Sequence, residues 1–79
     1  MQIHQIPQGY SEARYQGKRY SLTRTDRAGG RAISVYAEEL GGKDYISFNY
    51  YRTKQGGLLK PCEMPVERVL NFMEEAQLQ

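Results

Sequence analysis

The middle of this chain alternates apolar and polar residues with a period of two. Between Arg31 and Glu38, Ile33, Val35 and Ala37 are apolar while Ser34 and Glu38 are polar. Between Tyr45 and Arg52, Ile46, Phe48 and Tyr50 share one side and Ser47 and Asn49 the other. Arg19 to Thr25 sets Tyr20 and Leu22 against Ser21 and Thr23. Side chains of a β-strand point to opposite faces in turn, so three strands of a sheet with one dry face are predicted. A shorter first strand is expected over Glu12 to Tyr15, ahead of Gln16-Gly17-Lys18, and a short fifth over Leu58 to Lys60, stopped by Pro61.

Glycine pairs punctuate these runs. Gly29-Gly30, Gly41-Gly42 and Gly56-Gly57 recur at 12 and 15 residues, with Gly17 ahead of them. Closely spaced turn signals between short strands point to an antiparallel meander rather than parallel βαβ units. After Pro65 the period changes. Val66, Val69, Leu70 and Met73 fall at i, i+3, i+4 and i+7, one stripe of an amphipathic helix, with Phe72 expected at its edge. Pro65 suits a helix start, and Glu67 the positive end of its dipole, whereas Glu74 and Glu75 should fray the far end. A half-apolar sheet and an amphipathic helix bury each other. The expected fold is therefore α+β: an antiparallel meander of four to five strands packed on one C-terminal helix, β-β-β-β-(β)-α in two layers. Residues 10–79 are expected to form that single domain, and the glutamine-rich residues 1–9 a flexible N-terminal arm.

Composition narrows the possibilities. The chain has 79 residues, 39% of them hydrophobic, and a net charge of +2. That is one domain's worth of core, and the charge is too balanced for a disordered tail. Cys62 is the only cysteine, so no disulfide framework exists within the chain. No apolar run approaches the roughly 18 residues of a membrane span, and Met1 to Tyr10 shows neither the basic start nor the apolar stretch of a secretory signal. A free thiol without an export signal leads to the expectation of a reducing cytoplasm.

Candidate chemistry is sparse. Cys62 lies close to the predicted helix start, where a thiolate can be favoured, but Glu63 beside it acts the other way. The one histidine, His4, falls in the expected arm, away from any nucleophile, so no triad can be assembled. His4 and Cys62 stand 58 positions apart, without zinc-ligand spacing. Glu38, Glu39 and Asp44 flank a Leu-Gly-Gly turn rather than alternating as calcium ligands do. No GxxxxGK[ST] loop is present. The expectation is a protein that is not an enzyme, with no cofactor and no metal.

The surface is more informative. If Ile33, Val35, Ile46, Phe48, Tyr20 and Leu22 face the helix, the opposite face carries Arg19, Ser21, Thr23, Ser34, Tyr36, Tyr45, Ser47, Asn49 and Tyr51. Tyrosines among small polar residues make an amphipathic surface suited to an interface, although tyrosine is also a good strand former. Charge is uneven too: residues 14–31 carry a net +5, and Glu63 onwards a net −3.

The run Val35 to Arg52 followed by Leu59 to Pro65 resembles a family of very short bacterial proteins of unknown function. Members sometimes carry a peptide methionine sulfoxide reductase label. The GCFWG nucleophile motif of one reductase class is missing here, as are the zinc cysteines and catalytic histidines of the other. No second cysteine could resolve a sulfenate at Cys62. The resemblance implies no site residue.

The function expected from the sequence is therefore protein interaction or self-association, with a homodimer as one form. It would use an open sheet edge or the polar face bearing Arg19, Ser21, Thr23, Tyr36, Tyr45, Asn49 and Tyr51. The alternative is single-stranded nucleic-acid binding by the basic first hairpin and the exposed tyrosines.

Overall fold

A computed structural model describes residues 1–79. Gln16 and Gly17 have φ values of 52° and 75°. Two successive left-handed residues make a type I′ hairpin loop, whose twist matches that of the strands it joins. This turn pairs Tyr15 with Lys18 and fixes the register back to Gly9 opposite Arg24. The first strand, β1, is therefore longer than the sequence suggests, Gly9–Tyr15, and pairs with β2, Lys18–Arg27. A short 3-10 turn, Ala28–Gly30, leads to β3, Ala32–Glu39. β4, Tyr45–Thr53, and β5, Gly56–Pro61, complete the meander.

The helix α1 spans Val66–Glu75. Its end does not fray into solvent. The chain beyond it returns as β6, Gln77–Leu78, which pairs with Ala13 and Arg14. The result is one antiparallel sheet in the order β5-β4-β3-β2-β1-β6 with the helix on one side.

The core lies between the two layers. Ala13, Tyr15, Tyr20, Leu22, Ile33, Val35, Ala37, Ile46 and Phe48 point inward from the sheet and meet Val69, Phe72 and Ala76 of the helix. Tyr15, Tyr20 and Phe72 pack edge to face, with ring centroids 5.0–5.7 Å apart. The helix stripe differs from the one expected. Phe72 is fully buried, whereas Leu70 is 52% exposed and Val66 41%. The helix is rolled toward the three-ring cluster, so Val66 and Leu70 lie on its flank.

The N-terminal residues also depart from expectation. They are not a free arm but cover the core. Ile3–Gln5 form a 3-10 turn, Ile6 is buried, and the Met1 nitrogen donates to the Met73 carbonyl at 2.6 Å. Arg24 fastens this segment. It occupies an inward position of β2, beyond Tyr20 and Leu22. There its guanidinium donates to the Ile6 carbonyl at 2.6 Å and to both oxygens of Asp26 at 2.7 and 3.0 Å. A partly buried cation thus gains an anion and a carbonyl, which a charge withdrawn from water requires.

Candidate interaction face

Helix and N-terminal segment both cover one side of the sheet, so its other side has no layer over it. Register places this outer face in cross-strand rows. One row runs Tyr10, Thr23, Tyr36, Ser47. The next, toward the β1–β2 turn, runs Glu12, Ser21, Glu38, Tyr45. On the opposite side of the first lies Thr25, Ser34, Asn49, Lys60, followed by Arg27, Ala32, Tyr51, Leu58.

Tyrosines dominate the exposed apolar area. Tyr10 is 62% exposed, Tyr36 43% and Tyr45 40%. Tyr36 and Tyr45 stack at 6.2 Å with their planes 27° apart. The Tyr36 hydroxyl donates to Glu38 and that of Tyr10 to Glu12, both at 3.0 Å. Each phenol is thereby held above its ordinary pKa, first because ionising it would break the bond to its carboxylate. Glu12 lies below the usual carboxylate range. Its chief cause is Arg19, which donates to it at 2.6 Å.

The residues expected at this face divide into two groups. Ser21, Thr23, Tyr36, Tyr45 and Asn49 come together around the middle rows. Arg19 sits at the turn end and is committed to Glu12. Tyr51 is half-buried in the row beside Ala32 and Leu58, two rows from Tyr36. Tyr10 was not expected here. The signal was present: once Gln16-Gly17 is read as a two-residue turn, counting back in register puts Tyr10 opposite Thr23.

The centre of the face is a hollow of about 370 Å³, because small side chains stand between larger ones. Thr23, Thr25, Ser34, Ser47 and Asn49 line it, with Tyr36, Arg27 and Cys62 at its margin. Ser34 donates to the Asn49 carbonyl oxygen at 2.7 Å, which turns the Asn49 amide nitrogen toward the Cys62 sulfur at 3.7 Å. Cys62 is half-buried beside that amide.

Charge is arranged differently from its order in the sequence. The basic run 14–31 is divided between the two ends of the sheet. Lys18 and Arg19 meet Glu39 and Glu12 at the β1–β2 end. Arg27 and Arg31 lie at the other end, where the end of β4 adds Arg52 and the β4–β5 connection adds Lys54. These four and Lys60 are exposed and form no ion pair. Arg27 and Lys60 belong to the outer face, whereas Arg52 shares the strand side of Tyr50 and lowers the pKa of Asp26 from there.

A second concavity, of about 380 Å³, lies under the helix start between Tyr15, Gln16, Glu67, Arg68 and Asn71. Three of its five side chains, Tyr15, Arg68 and Asn71, are engaged in hydrogen bonds. Asn71 donates to the Tyr15 hydroxyl, while Tyr20 (at 2.7 Å) and Arg68 both donate to Asp44. Burial and the Asp44 carboxylate push the Tyr20 hydroxyl far above its ordinary pKa. This network ties the helix to the β3–β4 loop. No three His, Cys, Asp or Glu side chains converge in the arrangement a metal ion needs, and no helix is long and apolar enough to cross a membrane. Comparison with family models, with curated proteins and with solved structures finds no match to this chain.

Proposed function

We propose that this protein acts by binding rather than catalysis, docking a protein partner on the outer face of its sheet. The observation that carries this reading is the uncovered face itself, with Tyr10, Tyr36 and Tyr45 all at least 40% exposed on one side of the molecule. Tyrosine offers a large contact area with few rotors to immobilise and a hydroxyl for a partner's polar groups. The two longer dimensions of the molecule, 38 and 24 Å, bound the face at roughly 900 Å². A standard protein interface takes about 800 Å² from each partner, so the face is large enough for one.

Photo-crosslinking tests this directly. Benzoylphenylalanine replaces Tyr36 in one variant and Leu70, exposed on the helix side, in another. The outer face as docking surface requires a discrete protein adduct from position 36 and none from position 70. Adducts from position 70 alone, or from neither, would overturn it. Sedimentation from micromolar to millimolar then identifies the partner's kind: a mass that rises with concentration makes it a second copy of this chain.

A further inference from the structure

We infer that the hollow at the centre of the outer face seats carboxylates of an acidic segment carried by the docked protein. This rests on the docking reading above and specifies the partner's chemistry. Two cations of this face bracket the hollow: Arg27 on β2 is part of its lining, and Lys60 on β5 stands in register with Asn49, and neither has an acidic partner. Between them run Thr25, Ser34 and Asn49, whose row joins β2 to Lys60. The Asn49 amide nitrogen has only the sulfur of Cys62 as a neighbour to donate to, and a thiol is a weak acceptor. The hollow therefore combines unpaired positive charge, an underused N–H donor and the hydroxyls of Thr23, Thr25 and Ser47, which are free to turn toward an oxygen anion. Arg31 and Lys54, in the adjoining turns, extend the positive field over this end.

Acidic protein fits better than nucleic acid for two reasons. A single strand tracked across a sheet needs cations along its path and bare aromatic faces for its bases. Here the outer-face cations stand at the two ends, Arg27 and Lys60 at one and Arg14 and Arg19 at the other, with Arg19 committed to Glu12. Between them Glu12 and Glu38 bond to Tyr10 and Tyr36, so phosphates beside bases stacked on those rings would meet carboxylates. A short cluster of carboxylates needs only the basic end.

The test measures fluorescence anisotropy of labelled decaglutamate and labelled decathymidylate at low salt against the intact chain and two double variants. Arg27→Ala with Lys60→Ala removes the flanking cations. Arg14→Ala with Lys18→Ala removes the same net charge at the opposite end. All four positions are exposed, and circular dichroism verifies the fold. Decaglutamate should bind more tightly than decathymidylate and weaken roughly tenfold in the first variant, as expected for two partly screened charge contacts. The second variant should shift it far less. Equal weakening in both variants, tighter binding of decathymidylate, or no binding of decaglutamate each overturns the inference. The crosslink at position 36 is read without either probe, so loss of the docking reading and loss of the acidic site are seen separately.

Discussion

Truncating Phe72 and Leu70 to alanine, one at a time, tests how the helix is seated. Phe72 is fully buried, with its ring 5.0 Å from that of Tyr15 and 5.7 Å from that of Tyr20. Phe72→Ala removes a buried aromatic and leaves a cavity between two rings, a change that costs about 3–5 kcal/mol. Leu70 keeps 52% of its surface in water, and full burial of a leucine is worth only about 1.5–3 kcal/mol, so Leu70→Ala should cost less than about 1.5 kcal/mol. Domains are stable by about 0.05–0.15 kcal/mol per residue, or roughly 4–12 kcal/mol here. Phe72→Ala therefore takes a large share of the total. The gap between the two variants should exceed about 1.5 kcal/mol, or roughly 6–12 °C in Tm for a domain of this size. Thermal and urea unfolding followed by circular dichroism measure both. If Phe72→Ala does not fold while Leu70→Ala does, the same ordering is read directly. A Leu70→Ala variant as damaged as the Phe72 variant would mean that the helix presents another stripe, and the three-ring core would be refuted.

Other consequences can be measured independently. Burial raises the Asp44 pKa, but the hydrogen bonds from Tyr20 and Arg68 outweigh it, and the carboxyl lies below its ordinary value in the folded state. Its contribution is therefore complete above an unfolded pKa of about 3.9 and is lost as pH falls through the folded value. Tm curves of the intact chain and Asp44→Asn should differ at neutral pH and converge in acid, and curves that stay parallel would contradict this. Arg24→Ala should cost about 2–3 kcal/mol, since it leaves the Ile6 carbonyl without this donor and Asp26 with Gln8 as its only hydrogen-bond donor. The Ile6 amide should then exchange faster, and unchanged protection would show that Arg24 does not hold the N-terminal segment. Gln16→Asn, placing a residue tolerant of positive φ before Gly17, should stabilise the hairpin by about 0.5 kcal/mol in urea titrations. A destabilised variant would contradict the turn assignment. Alkylation of Cys62 with a bulky maleimide should obstruct the hollow and abolish decaglutamate binding, while full retention would place binding elsewhere.

The strands were legible because their signal is local and redundant: alternation in β2, β3 and β4 is reinforced by glycine at the turns. The helix was legible as an element but not in its rotation. Val66, Val69, Leu70 and Met73 have the spacing i, i+3, i+4, i+7, and so do Val69, Phe72, Met73 and Ala76. Periodicity cannot choose between two such stripes. The choice is made by the sheet, where Tyr15 and Tyr20, placed side by side by the hairpin, leave a space that an aromatic ring fills. Ile6 escaped notice for a related reason: one buried residue among glutamines carries no period, and only Arg24, eighteen positions on, explains its place. β6 is too short for any pattern. Alternation in β2, β3 and β4 separates the outward side chains from the buried ones, but the hollow and the cations beside it depend on Arg27 and Lys60 facing the same side of strands far apart in the sheet order.

Topology also bears on the proposal that a partner docks on the face rather than on an edge. In β5, Cys62 donates to the Ser47 carbonyl at 2.9 Å, so residues 58, 60 and 62 bond inward and 57, 59 and 61 turn their backbone groups outward. Pro61 has no N–H, which leaves Gly57 and Leu59 as the only outward donors of that edge. Lys54 and Lys60 flank them. Proline and lysine on a short edge strand are the usual means of discouraging another strand from pairing there. At the far side, β6 caps Ala13 and Arg14, and the Gln79 nitrogen bonds to the Glu12 carbonyl at 3.0 Å. That leaves only Gly9 to Ser11 of β1 open. An added strand would thus find two outward donors along β5 and only that of Tyr10 along the open part of β1, too few to hold it against the entropy of ordering it. The broad outer face carries no such obstruction, and a partner that reaches it by side-chain contacts needs neither edge.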